Sequence, residues 1–346
     1  MAAPSPPYTT SSSRRPHQLA ILALCIAILL SQSFLAANVA AKPAYSIFTV
    51  GNTADVVTNP ASGIALIGGG ADLDAAFRWI VDRADGGDVV VIRASGGDDY
   101  NPYLFNLNGL ATPPDSVTTI VFHQRSAAGD PFVVQTVREA EALVIAGGDQ
   151  ANYLALWRDT PLASTIAARA GEGMVIGGTS AGAMILGERV YSAAKGSVGS
   201  RVALRNPYQR QVTLAARPFD LPLLADVIVD THFSERNRQG RLLTFLSRLR
   251  KATGSPVRGI GLDERTALLI EPSGAATIIG DGRVSLIDMS ASASRCRRGK
   301  PLTVRAQPAA WGDAGDAFDT GAWRGVGLEQ VSLSAQRGRL RETPLA

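Results

Sequence analysis

Apolar runs alternate with amphipathic stretches through the middle of the chain, from residue 64 to about residue 249. Six of these runs are short and rich in Val, Ile, Leu and Gly, as is typical of strands that are buried on both faces. They cover residues 64–70, 88–94, 117–122, 142–146, 173–177 and 227–229. Stretches with helical spacing lie at residues 72–84, 132–140 and 232–249. This alternation predicts an α/β fold in which helices cover both faces of a mostly parallel sheet.

The later part of the chain has a different pattern. Three short β-like runs, separated by turns at Gly274 and Asp281-Gly282, lie at residues 267–270, 276–279 and 284–289. We expect these runs to form antiparallel hairpins at the edge of the sheet. From about residue 308 the chain is rich in Gly, Asp and Ala, which predicts a loosely packed extension. The expected divisions are a leader of residues 1–41, a main domain of residues 42–290 and an extension of residues 291–346.

The leader has the pattern of a secretory signal peptide. It contains no acidic residue, and Arg14 and Arg15 precede an apolar run at residues 19–30, which small residues follow up to Ala41. A charged segment, an apolar segment and a small-residue cleavage site in this order are typical of such signals. The apolar run is shorter than the roughly 20 residues that span a bilayer, although an uncleaved anchor stays open. We therefore expect a secreted, extracellular protein that has no membrane contact once the signal is cleaved.

Removal of the leader changes the charge and the cysteine count. The formal net charge falls from +4 to +2, because Arg14 and Arg15 are the only charged residues of the leader. A nearly neutral chain gives no electrostatic support for nucleic-acid binding. Cys25 would leave with the leader, so Cys296 would have no partner for an internal disulfide. With so few Cys and His residues we expect neither a metal site nor a cofactor.

Ser180 is the strongest candidate for chemistry. It lies in the run Gly178-Thr179-Ser180-Ala181-Gly182, which follows a predicted buried strand and precedes an apolar helix. Glycines on both sides of a serine allow a sharp, strained turn that exposes the hydroxyl group, and the next backbone N–H then faces any oxyanion formed there. The pattern predicts that Ser180 is the nucleophile of a serine hydrolase.

A serine nucleophile requires a base, and the chain contains three histidines. His17 lies in the leader. His123 follows the predicted strand at residues 117–122, where a core or rim histidine is the more common interpretation. His232 follows the strand at residues 227–229, and we predict that it is the base.

The acid that would orient this base is left open. Glu188 is the provisional candidate, although it lies eight residues after Ser180, which is about 12 Å along a helix. Asp230 lies two residues before His232, so on a strand the two side chains would share a face. Asp230 would then serve either as the acid or as a partner for a substrate cation.

Three arginines follow His232 closely, namely Arg236, Arg238 and Arg241. Guanidinium groups bind carboxylates with two parallel hydrogen bonds, so this cluster suits a substrate that carries a carboxylate. A solvated helix face, with Glu235 as an ion-pair partner, is the equally open alternative.

Several of these segments together resemble the cyanophycinase-like branch of the dipeptidase E family of serine peptidases. The matching segments are residues 67–70, 146–150, 178–183, 230–241 and 261–267. The resemblance covers roughly residues 64–284. It implies a three-layer α/β/α sandwich similar to class I glutamine amidotransferases, no cofactor, and a peptide or β-aspartyl substrate such as the β-Asp-Arg links that cyanophycinases hydrolyse. A homodimer is left open.

The resemblance also implies roles for individual residues. Ser180 would be the nucleophile and His232 the base, and the N–H groups of Gly148 and Ala181 would bind the oxyanion. The residues that would line the substrate pocket are Gln150, Asp230, Arg236 and Arg238. Two features depart from cyanophycinases: their triad acid is a glutamate between the serine and the histidine, whereas residues 191–198 contain none, and Thr231 replaces an expected glutamine.

Three alternatives stay open. The first is a binding protein on the same scaffold, with an incomplete triad. The second is an α/β-hydrolase esterase, which would need a His-Gly oxyanion loop, whereas His123 is followed by Gln124-Arg125. The third is a dinucleotide-binding enzyme, which is disfavoured because Leu73 occupies the place of the third glycine in the required motif.

Overall fold

The computed structural model of the protein describes residues 1–5, 42–290 and 294–345. The predicted signal, apart from its first five residues, lies outside them. The helices are α1 (Asp74–Arg83), α2 (Tyr100–Phe105), α3 (Pro131–Glu139), α4 (Gln150–Trp157), α5 (Pro161–Gly171), α6 (Ala181–Met184), α7 (Ser200–Arg205) and α8 (Gln239–Thr253), with short 3₁₀ turns at Arg125–Gly129 and Pro222–Leu224. The strands up to residue 262 are β1 (Tyr45–Gly51), β2 (Gly63–Ile67), β3 (Asp88–Arg93), β4 (Ser116–Phe122), β5 (Ala142–Ile145), β6 (Val175–Thr179), β7 (Arg189–Tyr191), β8 (Leu214–Ala216), β9 (Val227–Thr231) and β10 (Arg258–Leu262). The later strands are β11 (Thr266–Ile270), β12 (Ala275–Gly280), β13 (Val284–Asp288), β14 (Ser294–Arg295), β15 (Thr303–Gly312), β16 (Ala317–Asp319), β17 (Arg324–Val326), β18 (Glu329–Gln336) and β19 (Arg339–Pro344).

The first of two sheets contains five of the six predicted parallel strands, and the sixth, predicted at residues 227–229, is β9 of the second sheet. The order of the first sheet is β1-β4-β3-β5-β6-β2-β11-β12-β16-β17. The five strands from β4 to β2 run parallel to one another. Strand β1 and the strands from β11 onward are antiparallel to their neighbours. The carboxyl ends of the central parallel strands therefore meet at one edge of this sheet, which is where open α/β sheets place their ligand sites.

The second sheet has the order β19-β18-β15-β13-β10-β9-β7-β8, with β14 paired to β15. Strands β9 and β10 are parallel, and Thr231 at the end of β9 pairs with Leu262 at the end of β10. The residues that follow these two strands are therefore neighbours. His232 and Glu264 are among them.

The two faces of the central strands pack into different cores, because successive side chains of a strand point to opposite faces. In β3, Val89 and Val91 pack with the side chains of α1, whereas Val90 and Ile92 pack in a second core with α3, α4 and α5. That second core also contains inward side chains of β9, β10 and β13 from the other sheet. Helix α8 buries the outer face of the second sheet. The structure is thus a mixed α/β fold with a partly parallel sheet flanked by helices, as the alternation of patterns predicted.

The region after residue 262 differs from the sequence-based expectation in two ways. Strands β11 and β12 form the expected hairpin beside β2, but β13 belongs to the second sheet. The expected loosely packed extension is instead built from long strands, and Val331 and Leu333 of β18 are fully buried. The Gly and Asp residues of this region lie in its strands and in the turns between them, so its composition was a poor guide to its packing.

No helix in the described residues is both long enough and apolar enough to cross a membrane. The same residues contain no group of three or more His, Cys, Asp or Glu side chains placed to hold a metal ion.

Candidate active site

Three segments of the chain meet at the carboxyl end of β2. The carbonyl oxygens of residues 67, 68 and 69 accept hydrogen bonds from the backbone N–H groups of Ser180, His232 and Arg265, at 2.9, 3.0 and 2.8 Å respectively. One short backbone stretch therefore fixes the positions of a serine, a histidine and the loop that carries Glu264. The two sheets contribute β6 on one side and β9 and β10 on the other.

Ser180 sits on a strained turn between β6 and α6. Its backbone angles are φ 55° and ψ −119°, in a region that residues other than glycine rarely adopt. This conformation is typical of a nucleophile elbow, in which the strand-to-helix turn lifts the hydroxyl group above the sheet. The turn predicted from the glycine pattern is present, and Ser180 is half-buried in it.

A chain of hydrogen bonds joins three side chains at this point. Ser180 Oγ lies 2.7 Å from His232 Nε2, and His232 Nδ1 lies 2.6 Å from Glu264 Oε1. A carboxylate accepts hydrogen bonds only, so Glu264 requires the ring proton on Nδ1. Nε2 then carries the lone pair and accepts the hydrogen bond that the Ser180 hydroxyl donates. The arrangement can withdraw a proton from Ser180 and hold the imidazole in one tautomer while it does so.

Gly69 explains why the turn after β2 contains glycine. Its φ of +90° is a left-handed conformation, and a Cβ at this position would lie 2.6 Å from His232 Cε1 and 3.0 Å from Ser180 Cβ. A side chain there would push the imidazole away from the hydroxyl group. The backbone of Gly69 is therefore one wall of the site.

Burial, hydrogen bonding and neighbouring charges shift the pKa values of both His232 and Glu264. His232 is only 7% exposed, and this burial lowers the pKa of its imidazole below the ordinary value of 6.5. The hydrogen bond to Glu264 opposes that shift, whereas Arg236 and Arg238 add to it. The hydrogen bond from His232 lowers the pKa of Glu264. At neutral pH the histidine is thus a free base beside an ionised carboxylate.

Two backbone N–H groups are candidates for an oxyanion site: that of Ala181, directly after Ser180, and that of Gly148, which follows the neighbour of Ser180, Gly147. The N–H of Ala181 is at the first position of α6, where a helix offers no internal acceptor. The hydroxyl group of Tyr153 donates a 2.8 Å hydrogen bond to the carbonyl oxygen of Gly147. The carbonyl group of Gly147 and the N–H group of Gly148 belong to the same peptide unit and point in opposite directions. The hydrogen bond to the carbonyl oxygen therefore directs the N–H of Gly148 away from Tyr153. Within the described residues, neither Ala181 nor Gly148 uses its N–H in a backbone hydrogen bond.

The structure does not bring Glu188 to the histidine. Its carboxylate instead bonds the guanidinium groups of Arg189 and Arg217 and the backbone N–H of Asp226. Asp226 directly precedes β9, whereas His232 directly follows it. Glu188 and His232 therefore lie at opposite ends of this strand, which is about 16 Å long at 3.3 Å for each of its five residues. The carboxylate that bonds Nδ1 of His232 is that of Glu264. It was not predicted as the acid, because the resemblance places the acid between the serine and the histidine. The signal that could have found it is the parallel pairing of the strands that precede His232 and Glu264.

Asp230 and Arg238, which were expected to line the substrate pocket, are buried. Asp230 is fully buried, and both its carboxylate oxygens accept hydrogen bonds from Arg241, at 2.8 and 2.5 Å. Arg238 is 9% exposed and donates to the carbonyl oxygen of Thr231 at 2.7 Å. These contacts hold the turn after β9, because a buried charge requires a partner. Asp230 and Arg238 therefore support the turn that carries His232.

The other expected residues lie at the surface of the crevice or outside it. Arg236 is exposed, four residues after His232, and its charge acts on His232 and Glu264. Gln150 begins α4 and donates a 3.3 Å hydrogen bond to the carbonyl oxygen of Tyr191. His123 bonds Ser46 at 2.9 Å. It follows β4, three strands away from β6, so it is not part of the site.

Comparison with known proteins places the chain among peptidases. The family model described as peptidase family S51 matches residues 79–278. The cyanophycinase of Synechococcus elongatus is 33% identical over 174 residues, which cover 50% of this chain and 49% of that protein. The cyanophycinase of Geminocystis herdmanii is 38% identical over 154 residues, or 44% of this chain and 51% of that protein. The chain thus spans about half the length of the curated relatives it matches.

A solved structure shows a likeness in fold. The crystal structure of a peptidase from an acI-B1 Actinobacterium covers 75% of this chain and 98% of its own, with a TM-score of 0.50 and 18% identity. The family match includes Ser180, His232 and Glu264, and it extends over more than half of the chain. The chain therefore belongs to peptidase family S51.

Proposed function

We propose that this protein is a serine peptidase of the cyanophycinase type, built on a three-layer scaffold similar to class I glutamine amidotransferases. The observation that carries the proposal is the continuous chain of hydrogen bonds from Ser180 through His232 to Glu264. A hydroxyl, an imidazole and a carboxylate in this order activate a serine for acyl transfer on several unrelated folds. Membership of family S51 supports the same chemistry.

The proposed reaction proceeds through an acyl-enzyme. His232 Nε2 takes the proton of Ser180 as Oγ forms a bond to the carbonyl carbon of the substrate. The N–H groups of Gly148 and Ala181 stabilise the negative charge that develops on the carbonyl oxygen. His232 then gives its proton to the departing amine, and the C–N bond breaks. Water repeats the sequence: it loses a proton to His232, attacks the ester and releases Ser180.

Glu264 has a separate task in this scheme. Its carboxylate keeps the Nδ1 proton in place and stabilises the imidazolium that forms when Ser180 is deprotonated. The hydrogen-bonded set of Ser180, His232 and Glu264 argues against the alternative of a binding protein with a broken triad. The serine elbow, which was the basis of the esterase alternative, is accounted for by the family.

We propose a β-aspartyl amide as the substrate, with Arg236 as the group that binds its free carboxylate. The exposed guanidinium of Arg236 follows the base by four residues, and Gln150 begins α4 directly after the turn that contains Gly148. A guanidinium binds a carboxylate with two hydrogen bonds. The names of the relatives support this substrate class, since both are cyanophycinases.

The test is a comparison of two isomeric dipeptides, β-aspartyl-arginine and α-aspartyl-arginine, with release of free arginine as the measurement. We expect hydrolysis of the β-isomer by the wild type and none by Ser180→Ala. Ser46→Ala is the matched control, because Ser46 also bonds a histidine, His123, outside the site, and it should retain full activity. Equal hydrolysis of both isomers would refute the β-aspartyl assignment. Hydrolysis that persists in Ser180→Ala would refute the nucleophile.

We also propose that residues 1–41 direct export, from the sequence pattern alone. Expression of the full chain with a C-terminal tag, followed by N-terminal sequencing of the tagged protein from the medium, tests this. The expected N-terminus is Lys42. Retention of the full chain inside the cell would refute it.

A further inference from the structure

Four arginines surround a concavity of about 910 Å³ at the edge of the second sheet, and none of them is among the residues of the candidate active site. They are Arg205, Arg337, Arg339 and Arg341. We call this site the arginine concavity. Its remaining lining consists of Ser334, Gln336 and Leu340, so no carboxylate of the described residues lines it.

The charge of the arginine concavity is not neutralised within the described residues. None of its four guanidinium groups forms an ion pair or a hydrogen bond there. Elsewhere arginines of this chain engage acids, as in the contacts of Arg241 with Asp230 and of Arg283 with Asp313. The chain has 34 basic and 30 acidic residues, so the concentration of cations is local. Like charges held together repel one another, and an anion would relieve that repulsion.

The backbone holds these cations in place. Strands β18 and β19 form a hairpin in which Gln336 pairs with Arg339, and the two turn residues Arg337 and Gly338 both have positive φ, 52° and 75°. This two-residue turn favours Asn-Gly or Gly-Gly, so arginine at its first position is unusual. Gly338 packs against helix α7, where an added Cβ would lie 2.6 Å from Arg205 Cγ. The hairpin and α7 therefore fix the backbone positions of the arginines relative to one another.

The spacing of the arginines fits an extended chain. Arg339 and Arg341 alternate along β19, so their side chains lie on the same face about 6.8 Å apart. The neighbouring residue Glu342 points to the other face, where its carboxylate accepts hydrogen bonds from Trp311 and Gln239. Strand β19 is also the last strand of its sheet, so its outer edge is free to pair among the described residues. An extended peptide can add to such an edge through its backbone.

We propose that the arginine concavity binds an extended peptide segment that carries carboxylates at alternate positions. Arg339 and Arg341 would bind successive carboxylates on one face of the peptide, and Arg205 and Arg337 would bind those near the turn. Charged residues on an edge strand also discourage aggregation, but that role does not explain Arg205 and Arg337, which lie off the strand. The lining contains no aromatic side chain on which nucleic-acid bases could stack, which favours a peptide.

The test measures binding of a fluorescent eight-residue peptide of alternating Asp and Thr to the full chain, by anisotropy, in the Ser180→Ala background so that cleavage cannot consume the probe. Loss of two exposed ion pairs in Arg339→Gln/Arg341→Gln should weaken binding about tenfold. The matched control is Arg138→Gln/Arg324→Gln, which removes the same charge from exposed positions on α3 and β17. It should change the dissociation constant less than about twofold, since screening by salt leaves distant exposed charges little effect.

Two further probes separate the proposed occupant from its rivals. A block peptide with four Asp followed by four Thr has the same charge but places its carboxylates on both faces, and it should bind more weakly. Three results would overturn the proposal: no binding of the alternating peptide, equal weakening by the control pair, or tighter binding of a single-stranded oligonucleotide than of the peptide. None of these results depends on whether Ser180 is catalytic.

Discussion

Glu264→Gln tests most sharply whether the acid is Glu264, as in the structure, or Glu188, as the sequence pattern indicated. The amide keeps the size of the side chain but loses the negative charge, and its NH₂ group can donate to Nδ1 of His232. The proton would then move to Nε2, where it blocks acceptance of the Ser180 proton. We expect the variant to fold normally, because the side chain of Glu264 is 27% exposed and its carboxylate bonds His232 alone among side chains of the described residues.

The size of the effect follows from that exposure. In a buried serine-protease triad, replacing the acid by its amide lowers kcat by about 10⁴. At a partly exposed position water can replace some of the lost stabilisation, so we expect a loss of about 10² to 10³. This corresponds to about 3–4 kcal/mol of transition-state stabilisation, at about 1.4 kcal/mol for each factor of ten. KM should change little, because Glu264 lies behind the imidazole.

The assay is the pH dependence of kcat/KM on a β-aspartyl substrate. Glu264 raises the pKa of His232, so its loss should move the acid limb of the profile to lower pH while the plateau falls. Glu188→Gln is the matched control, since it removes the carboxylate that the sequence pattern indicated, and it should keep kcat within about twofold. If Glu264→Gln retained half of wild-type kcat while Glu188→Gln lost most of it, the assignment of the acid would be wrong.

Three further predictions concern the walls and the charge of the site. Gly69→Ala should lower kcat by at least about 10², because its Cβ would lie 2.6 Å from the imidazole of His232; full activity would contradict the described geometry. Arg236→Gln removes a cation that lowers the pKa of His232, so the acid limb of kcat/KM should move to higher pH and KM should rise, whereas an unchanged profile would place Arg236 outside the site. Tyr153→Phe frees the peptide unit that directs the Gly148 N–H, so kcat should fall about tenfold with KM unchanged; a change in KM alone would argue against a role in the oxyanion site.

The sequence predicted the parts of this site that depend on local pattern. Glycines around Ser180, after a run of buried residues, were enough to predict the strained turn that the structure shows. His232 was selected because His17 lies in the leader and His123 was more simply interpreted as a core or rim histidine. Both inferences needed only short-range information, which one sequence supplies.

The acid could not be found in the same way, because its place depends on how two distant strands pair. Glu264 follows Arg258–Leu262, a strand that contains two glycines and was not predicted. Its parallel pairing with Val227–Thr231 brings Glu264 beside His232 across 32 residues of sequence. Asp230 shows the opposite case. Its position two residues before the base suggested a contact with a ligand. The alternation of side chains along the strand instead points its carboxylate into the core, where Arg241 neutralises it.

Covalent labelling of the full chain with a fluorophosphonate tests the central claim most directly. The reagent reacts with serine hydroxyl groups that a neighbouring base activates, and mass spectrometry of a digest locates the modified residue. The structure predicts stoichiometric modification of Ser180, no labelling of Ser180→Ala or His232→Ala, and slower labelling of Glu264→Gln. Undiminished labelling of Ser180→Ala, or modification of a serine outside the peptide that contains Ser180, would contradict it.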